Sequence, residues 1–294
     1  MADTPLDALA AVNLALCANP QTRETWANAQ VQAAQFGVAS SAWLPSLDAR
    51  VAANSTDTGN GRRDQRSAAL TLSYLLLDFG ARDASVESAR QLLAAASSSL
   101  DTTVQSVFLL ALQSYYTAQA QRAAVAAALE SERASRESLN AAEARYRIGT
   151  GTPADRLQAQ TAWSQATLNR IRSEGELRNA LGTLANVLGL DASRPLNLAE
   201  WPAAAPETSF ERDVDALIAE ARDRRPDLRA AEAQVNAARA GIDVARSAGR
   251  PTVSVGIGPS WQDLGTGSGL TSGSSVGLTL NVPIFSGYAT TYRV

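Results

Sequence analysis

Arginine, tyrosine and acid side chains gather around one glycine-rich turn, Arg145-Tyr146-Arg147-Ile148-Gly149-Thr150-Gly151-Thr152-Pro153, followed closely by Asp155 and Arg156. A glycine–threonine run can cradle phosphate, and an acid beside an arginine can move protons. Neither reading holds up. The run from Gly149 to Thr152 is too short for a phosphate loop and follows a helical pattern rather than a strand. Asp155 falls in the first turn of the next helical segment, where the helix dipole favours an acid without any catalytic role. The chain has no histidine and one cysteine, which removes histidine-based catalysis, zinc sites of the usual ligand sets and an internal disulfide. No catalytic, cofactor-binding or metal-ligating set emerges, so the sequence does not read as an enzyme.

The bulk properties point the same way. Every basic residue is arginine, the formal charge is −3 and the pI is near 5.2, so no broad basic surface exists for nucleic acid. An apolar share of 45% is that of a folded protein. Cys17, in Leu14-Ala15-Leu16-Cys17, resembles a lipidation site only faintly, because Leu16 is large and no basic segment precedes it. The expectation is a buried cysteine on a helix. Met1 to Pro5 carries no positive charge and does not read as a signal peptide. Two alternatives stay open: an export signal outside this sequence, or a cytoplasmic protein. No run approaches the roughly 18 apolar residues of a spanning helix, so any membrane crossing must use strands.

The elements that position the turn are long. From Ala81 to Ile148 there is neither glycine nor proline, about 68 residues, or about 100 Å of helix. Leu93, Leu100, Val104, Val107, Ala111, Ala118, Val125 and Leu129 share one stripe of it. Gly149 suits a left-handed helix end, Thr152 an N-cap and Pro153 a new first turn. The next helix, 153–188, carries Leu157, Leu168, Ile171, Leu181, Leu184 and Leu188 on one face. The two fold back as an antiparallel hairpin. A proline-rich connector, 191–206, follows.

Two regions have a period of two instead. Leu47, Ala49 and Val51 alternate with polar neighbours, as do Leu70, Leu72 and Tyr74. Val253, Val255 and Ile257, then Val276, Leu278, Leu280 and Val282, repeat the design after a Gly/Ser/Thr loop. Pro20 and Pro226, and Pro45 and Pro251, are each 206 positions apart, and Leu70 and Leu278 are 208 apart. This registers an internal repeat. The first unit is 1–206, with helix 20–43, strands 45–53 and 67–76, helices 81–148 and 153–188, and the connector. The second, 207–294, holds helix 210–247, strands 251–260 and 274–285, and the start of a helix at 287–294. In this register Val294 corresponds to Val86, which predicts about 100 further residues of a second helical hairpin.

Several segments, spread over nearly the whole chain, resemble the TolC outer-membrane factor family. Asn19-Pro20 is similar to the family's opening, and Leu44-Pro45-Ser46-Leu47, with Arg250-Pro251-Thr252-Val253, to its helix-to-strand corner. Tyr74-Leu75-Leu76-Leu77-Asp78-Phe79-Gly80 and Val282-Pro283-Ile284-Phe285-Ser286-Gly287 look like its strand exits. Arg145 to Gly149 with Asp155-Arg156-Leu157-Gln158-Ala159 resembles its hairpin tip. The resemblance implies an α+β membrane protein with a long antiparallel α-helical hairpin in a periplasmic coiled-coil cylinder. Two β-hairpins would contribute to a trimeric outer-membrane β-barrel. It implies a homotrimer in the outer membrane with a large periplasmic part, contacting outer-membrane lipid, a periplasmic adaptor and an inner-membrane transporter. The expected activity is passive export of drugs or secreted proteins, with no cofactor. The resemblance places adaptor docking at Arg145, Tyr146, Ile148, Gly149, Thr150 and Gly151, and makes Asp155 a candidate entrance latch whose arginine partner lies beyond Val294. The competing expectation is a soluble periplasmic coiled-coil scaffold or adaptor-like interaction protein, which would have no use for alternating hairpins.

Overall fold

The computed structural model describes residues 5–57, 59, 62–200, 218, 220, 221, 224–263 and 269–294. In chain order these form α1 (Ala8–Ala18), α2 (Pro20–Ser41), β1 (Ser46–Asp57), β2 (Arg62–Leu77), α3 (Ala81–Arg147) and α4 (Pro153–Val187). Then follow α5 (Pro226–Ser247), β3 (Thr252–Asp263), β4 (Leu270–Asn281) and the short α6 (Ala289–Arg293). The residues group into two compact units, one of Met1–Trp26 with Leu100–Arg224, the other of Ala27–Ser99 with Arg225–Val294. The units are thus each discontinuous in sequence. Among the described residues no helix is long and apolar enough to cross a membrane.

The first unit is helical. Its core joins Ala11, Val12 and Ala15 of α1 to Val107, Ala111, Tyr115 and Ala118 of α3 and to Leu184, Val187 and Leu188 at the end of α4. Alanine at the crossing points lets helix backbones approach closely, and methyl-sized side chains lose little entropy on burial. Cys17 is exposed, contrary to expectation. It falls on the side of α1 away from Ala11 and Ala15, so helix phase overrides the burial habit of its residue type. Asn19, itself buried, joins α1 to α2: its Oδ1 accepts from Gln21 N at 2.8 Å and its Nδ2 donates to Val187 O at 2.9 Å. Leu6 forms a parallel bridge with Leu198. Gln119 Nε2 donates to Ala199 O and Arg122 Nη1 to Leu198 O, both at 2.7 Å, so long α3 side chains satisfy carbonyls of this irregular segment.

Farther along the hairpin, α3 and α4 are tied by polar contacts. Glu132 accepts from Thr167 Oγ1 at 2.7 Å and from Arg170 Nε at 2.5 Å, while Arg170 also reaches Glu174 at 2.6 Å. The Arg136 guanidinium lies 5.6 Å from the Trp163 ring centre. The apolar stripe of this hairpin is covered only in part. Val107, Ala111 and Ala118 are buried, but Leu129 of α3 and Leu157, Leu168 and Ile171 of α4 are exposed.

The second unit is built on one antiparallel sheet in the order β1-β2-β3-β4. Asp57 pairs with Arg62, Arg66 with Asp263, and Asp263 with Leu270, so both hairpin connections lie at the same end. Opposed residues share a face. Leu47, Leu72, Ile257 and Val276 form one row across all four strands, and Tyr74, Val255 and Leu278 another. The other face carries Ser46, Ser73, Gly256 and Gly277 in one row and Arg50, Ala69, Ser260 and Gly273 in the next. Period-two alternation therefore yields a sheet apolar on one side and polar or small on the other. The apolar side is open: Val51 is 83% exposed and Val276 76%.

Alternation breaks at Leu75-Leu76-Leu77, and there the β2–β3 register shifts in a bulge between Leu75 and Leu77. Beyond it, the chain turns into α3 through Asp78-Phe79-Gly80, with positive φ at Phe79 and Gly80. A buried ion pair holds this exit. Asp78 Oδ2 accepts from Arg82 Nε at 3.0 Å and from Arg82 N at 2.8 Å. Arg82 Nη1 donates to Leu75 O at 2.8 Å, and its guanidinium stacks 4.1 Å from the Trp43 ring centre. Arg250 Nη1 donates to Phe79 O at 2.8 Å. In α5, Ala230, Ala233, Ala237 and Ala240 are buried at alternating spacings of three and four, and Ser88 Oγ of α3 donates to Ala237 O.

Some boundaries differ from expectation. β4 ends at Asn281, not 285, because Pro283 has no N–H for the ladder. Of the expected helix 210–247, residues 210–217 lie outside the described residues. Arg225 is extended, and Pro226 starts α5 at its first position, where a missing N–H costs nothing.

Candidate partner-docking tip of the helical hairpin

The tip connects α3 to α4 within the first unit. Gly149 has φ +80° and sits one position past the last helical turn. Its N–H donates to Tyr146 O at 3.1 Å, and Thr150 N donates to Arg145 O at 3.0 Å. These are the two bonds of a Schellman ending, and the residue in the left-handed position is glycine because a Cβ there meets the carbonyl. Gly151 N and Thr150 Oγ1 also donate to Arg145 O, at 3.1 and 3.2 Å. Gly151 is small for a different reason. A Cβ on it would lie 3.1 Å from Arg145 Cβ and from Tyr146 N.

The start of α4 is closed with equal economy. Thr152 Oγ1 accepts from Asp155 N at 3.2 Å, while Asp155 Oδ2 accepts from Thr152 N at 3.0 Å and from Thr152 Oγ1 at 2.7 Å. This is a capping box with proline at the first helical position. The Thr152 hydroxyl bond, the Thr152 backbone bond and the Arg145 charge hold the Asp155 carboxyl below its ordinary value of 3.8 against a small opposing desolvation.

The structure brings all the sequence-predicted tip residues together. Arg145 and Tyr146 accept the turn's backbone bonds, Thr150 and Gly151 complete the turn, and Ile148 stands 75% exposed at its crest. Asp155 occupies the base of the turn, its hydrogen bonds directed to Oδ2. One contact at the tip was not read from the sequence. Arg156 lies with its guanidinium carbon 4.8 Å from the Tyr146 ring centre, across the hairpin. Tyr146 and Arg156 flank Gly151 at equal distances in sequence, and that mirror spacing was the available signal. The result is a closely hydrogen-bonded knob with an exposed isoleucine, a half-exposed tyrosine and flanking arginines.

A family model described as outer membrane efflux protein matches residues 11–190 and 217–294. Protein CyaE of Bordetella pertussis is 34% identical over 293 residues, an alignment covering 97% of this chain and 62% of CyaE. The probable efflux pump outer membrane protein TtgC of Pseudomonas putida is 27% identical over 262 residues, covering 83% of this chain and 52% of TtgC. The chain thus spans between half and two thirds of the length of these relatives. Among solved structures, the Campylobacter jejuni CmeC outer membrane channel superposes with a TM-score of 0.83 at 18% identity, covering 97% of this chain and 63% of CmeC. CusC superposes with a TM-score of 0.82 at 21% identity, covering 97% of this chain and 67% of CusC. The likenesses to solved structures show the shared fold, and the match of the family model over most of this chain's length shows that the chain belongs to the outer membrane efflux protein family.

Proposed function

We propose that this chain is part of one subunit of an outer-membrane export duct, which conducts drugs or secreted proteins passively and catalyses no reaction. The single observation that carries the reading is the two-faced sheet. Its apolar face is exposed from Leu47 to Val51 and from Val276 to Leu280, and its outer strands β1 and β4 have open edges. In water such a surface would aggregate. In a bilayer the apolar side meets lipid, the polar side faces an aqueous lumen, and strands from further copies close the edges. A soluble scaffold has no use for this arrangement.

A homotrimer supplies those copies. Partner subunits would also cover Leu129, Leu157, Leu168 and Ile171 on the helical wall. The tip at Arg145, Tyr146, Ile148, Gly149, Thr150 and Gly151 receives a periplasmic adaptor, which couples the duct to an inner-membrane transporter. Asp155 holds the tip through its capping box and has a second oxygen to offer as a latch.

The internal repeat is supported by matching bounds. α2 and α5 start 206 positions apart, β1 and β3 start and end 206 apart, and α3 and α6 start 208 apart. Consecutive positive-φ residues occur at Phe79-Gly80 and at Gly287-Tyr288, equivalent positions at the second spacing.

The test is to reconstitute the chain, extended by its downstream reading frame, into lipid vesicles and measure conductance and oligomeric state. Channel activity by a trimer is expected. Val51→Arg and Leu278→Arg should each block insertion, at about 2–4 kcal/mol per copy near the bilayer midplane. Finding a soluble monomer without conductance would overturn the reading.

A further inference from the structure

The polar face of the sheet is almost free of charge. Along β4 it presents Thr271, Gly273, Ser275, Gly277, Thr279 and Asn281, and β3 adds mainly glycine and serine. Between the Thr252–Asn281 pair and the Ala52–Ser67 pair, its charged side chains are Asp48 and Arg50, both on β1. Both are exposed, and no ion pair joins either one to any described residue. Their cross-strand partners are Thr71 and Ala69. Apart from each other, nothing on this face of the sheet between those two pairs offsets their charge.

We propose that Asp48 and Arg50 set the charge selectivity of the strand-lined lumen, as two oppositely charged bands for small ions and for charged groups of the transported solute. The inference rests on the reading that the polar face lines a closed barrel. Closure brings no countercharge, because the other open edge, β4, offers only uncharged residues on that face. The two positions lie about 7 Å apart along the strand, at the usual rise per residue. Symmetric copies turn them into an acidic band nearer the helical end and a basic band nearer the hairpin loops. Rings of fixed charge in a pore select ions of opposite sign. At about 0.1 M salt the screening length is about 10 Å, longer than the separation of the bands, so each band partly offsets the other for passing ions. Removing one partner unmasks the other.

The experiment measures reversal potentials of the extended, reconstituted channel in a potassium chloride gradient at low salt. Asp48→Asn should shift permeability toward chloride, and Arg50→Gln toward potassium, each by roughly twofold or more. The double variant should return close to the parent. The opposite signs separate this role from general damage, which moves both variants the same way. Single variants without a shift, or with shifts of the same sign, would overturn the proposal. Such a result would leave these as edge charges that merely discourage mispairing.

Orientation is tested separately in a Cys17→Ser background. Arg50→Cys should react with a charged, membrane-impermeant thiol reagent and change conductance, and Val51→Cys should react only with a lipid-soluble maleimide. The reverse pattern would overturn the barrel reading and the selectivity proposal together. The expected labelling with unchanged selectivity would overturn the selectivity proposal alone.

Discussion

Replacing Gly149 by valine isolates the backbone contribution at the hairpin tip. Beyond the residue's own backbone and its two chain neighbours, a Cβ added to Gly149 meets no atom within 4 Å, so the variant introduces no collision with neighbouring elements. What remains is the φ of +80°. A non-glycine residue in the left-handed region costs about 1–2 kcal/mol, and a β-branched one belongs at the upper end. That energy is drawn from the turn that Thr150 N and Gly151 N close on Arg145 O. The opening of this turn should become about 5- to 30-fold more frequent. Amide hydrogen exchange of Thr150 and Gly151 in the assembled, membrane-reconstituted protein reads it directly. Gly149→Asn should cost less, because asparagine visits this region more readily. If the tip docks an adaptor, Gly149→Val should also impair export while assembly stays normal. Exchange accelerated less than about twofold, or asparagine behaving as badly as valine, would refute the conformational argument.

The other predictions concern charge and burial. The Asp155 carboxyl titrates below its ordinary 3.8, so its contribution is fully present above that pH and is lost as pH falls through the lower folded value. Tip protection, corrected for intrinsic exchange, should be flat from neutral pH to about 4 and fall below it, and Asp155→Asn should abolish that fall. Asp78→Ala leaves the Arg82 guanidinium buried without its anion and should destabilise the unit containing the sheet by about 3–5 kcal/mol, seen as a lower unfolding temperature. Leu184→Ala, at a fully buried site, should cost about 2–5 kcal/mol of protomer stability. Leu168→Ser with Ile171→Ser should leave protomer helicity unchanged and reduce assembly, checked by circular dichroism and analytical ultracentrifugation.

The strands were legible because alternation is a local signal, and its failure at Leu75-Leu76-Leu77 coincides with the bulge. Their ends were less so. Apolar alternation stops near Ala53 and Ala68, whereas the ladder runs on through polar pairs to Asp57 and Arg62, because backbone hydrogen bonds do not require apolar side chains. At the tip, the glycine, the cap and the proline each have a local reason and could be read in order. The stacking of Arg156 on Tyr146 could not, since it depends on how two helices cross. Nor could the Trp43, Asp78 and Arg82 contacts, which join the α2–β1 connection, the β2–α3 turn and the start of α3. Leu157, Leu168 and Ile171 share one face of the helical pattern with Leu184, yet they are exposed where Leu184 is buried. Periodicity identifies a shared face of a helix but not whether that face meets its own chain.

The tip has a mechanical consequence. From Ile148 to Thr152 every backbone N–H donates to a neighbouring residue of the same turn. A connection with no idle donor has little slack to absorb a twist, and the Glu132–Arg170 contact lower down resists sliding of one helix along the other. Torque applied at the crest, where Ile148 protrudes, is therefore carried into α3 and α4 together. The hairpin behaves as a single lever, and its pivot must lie away from its end.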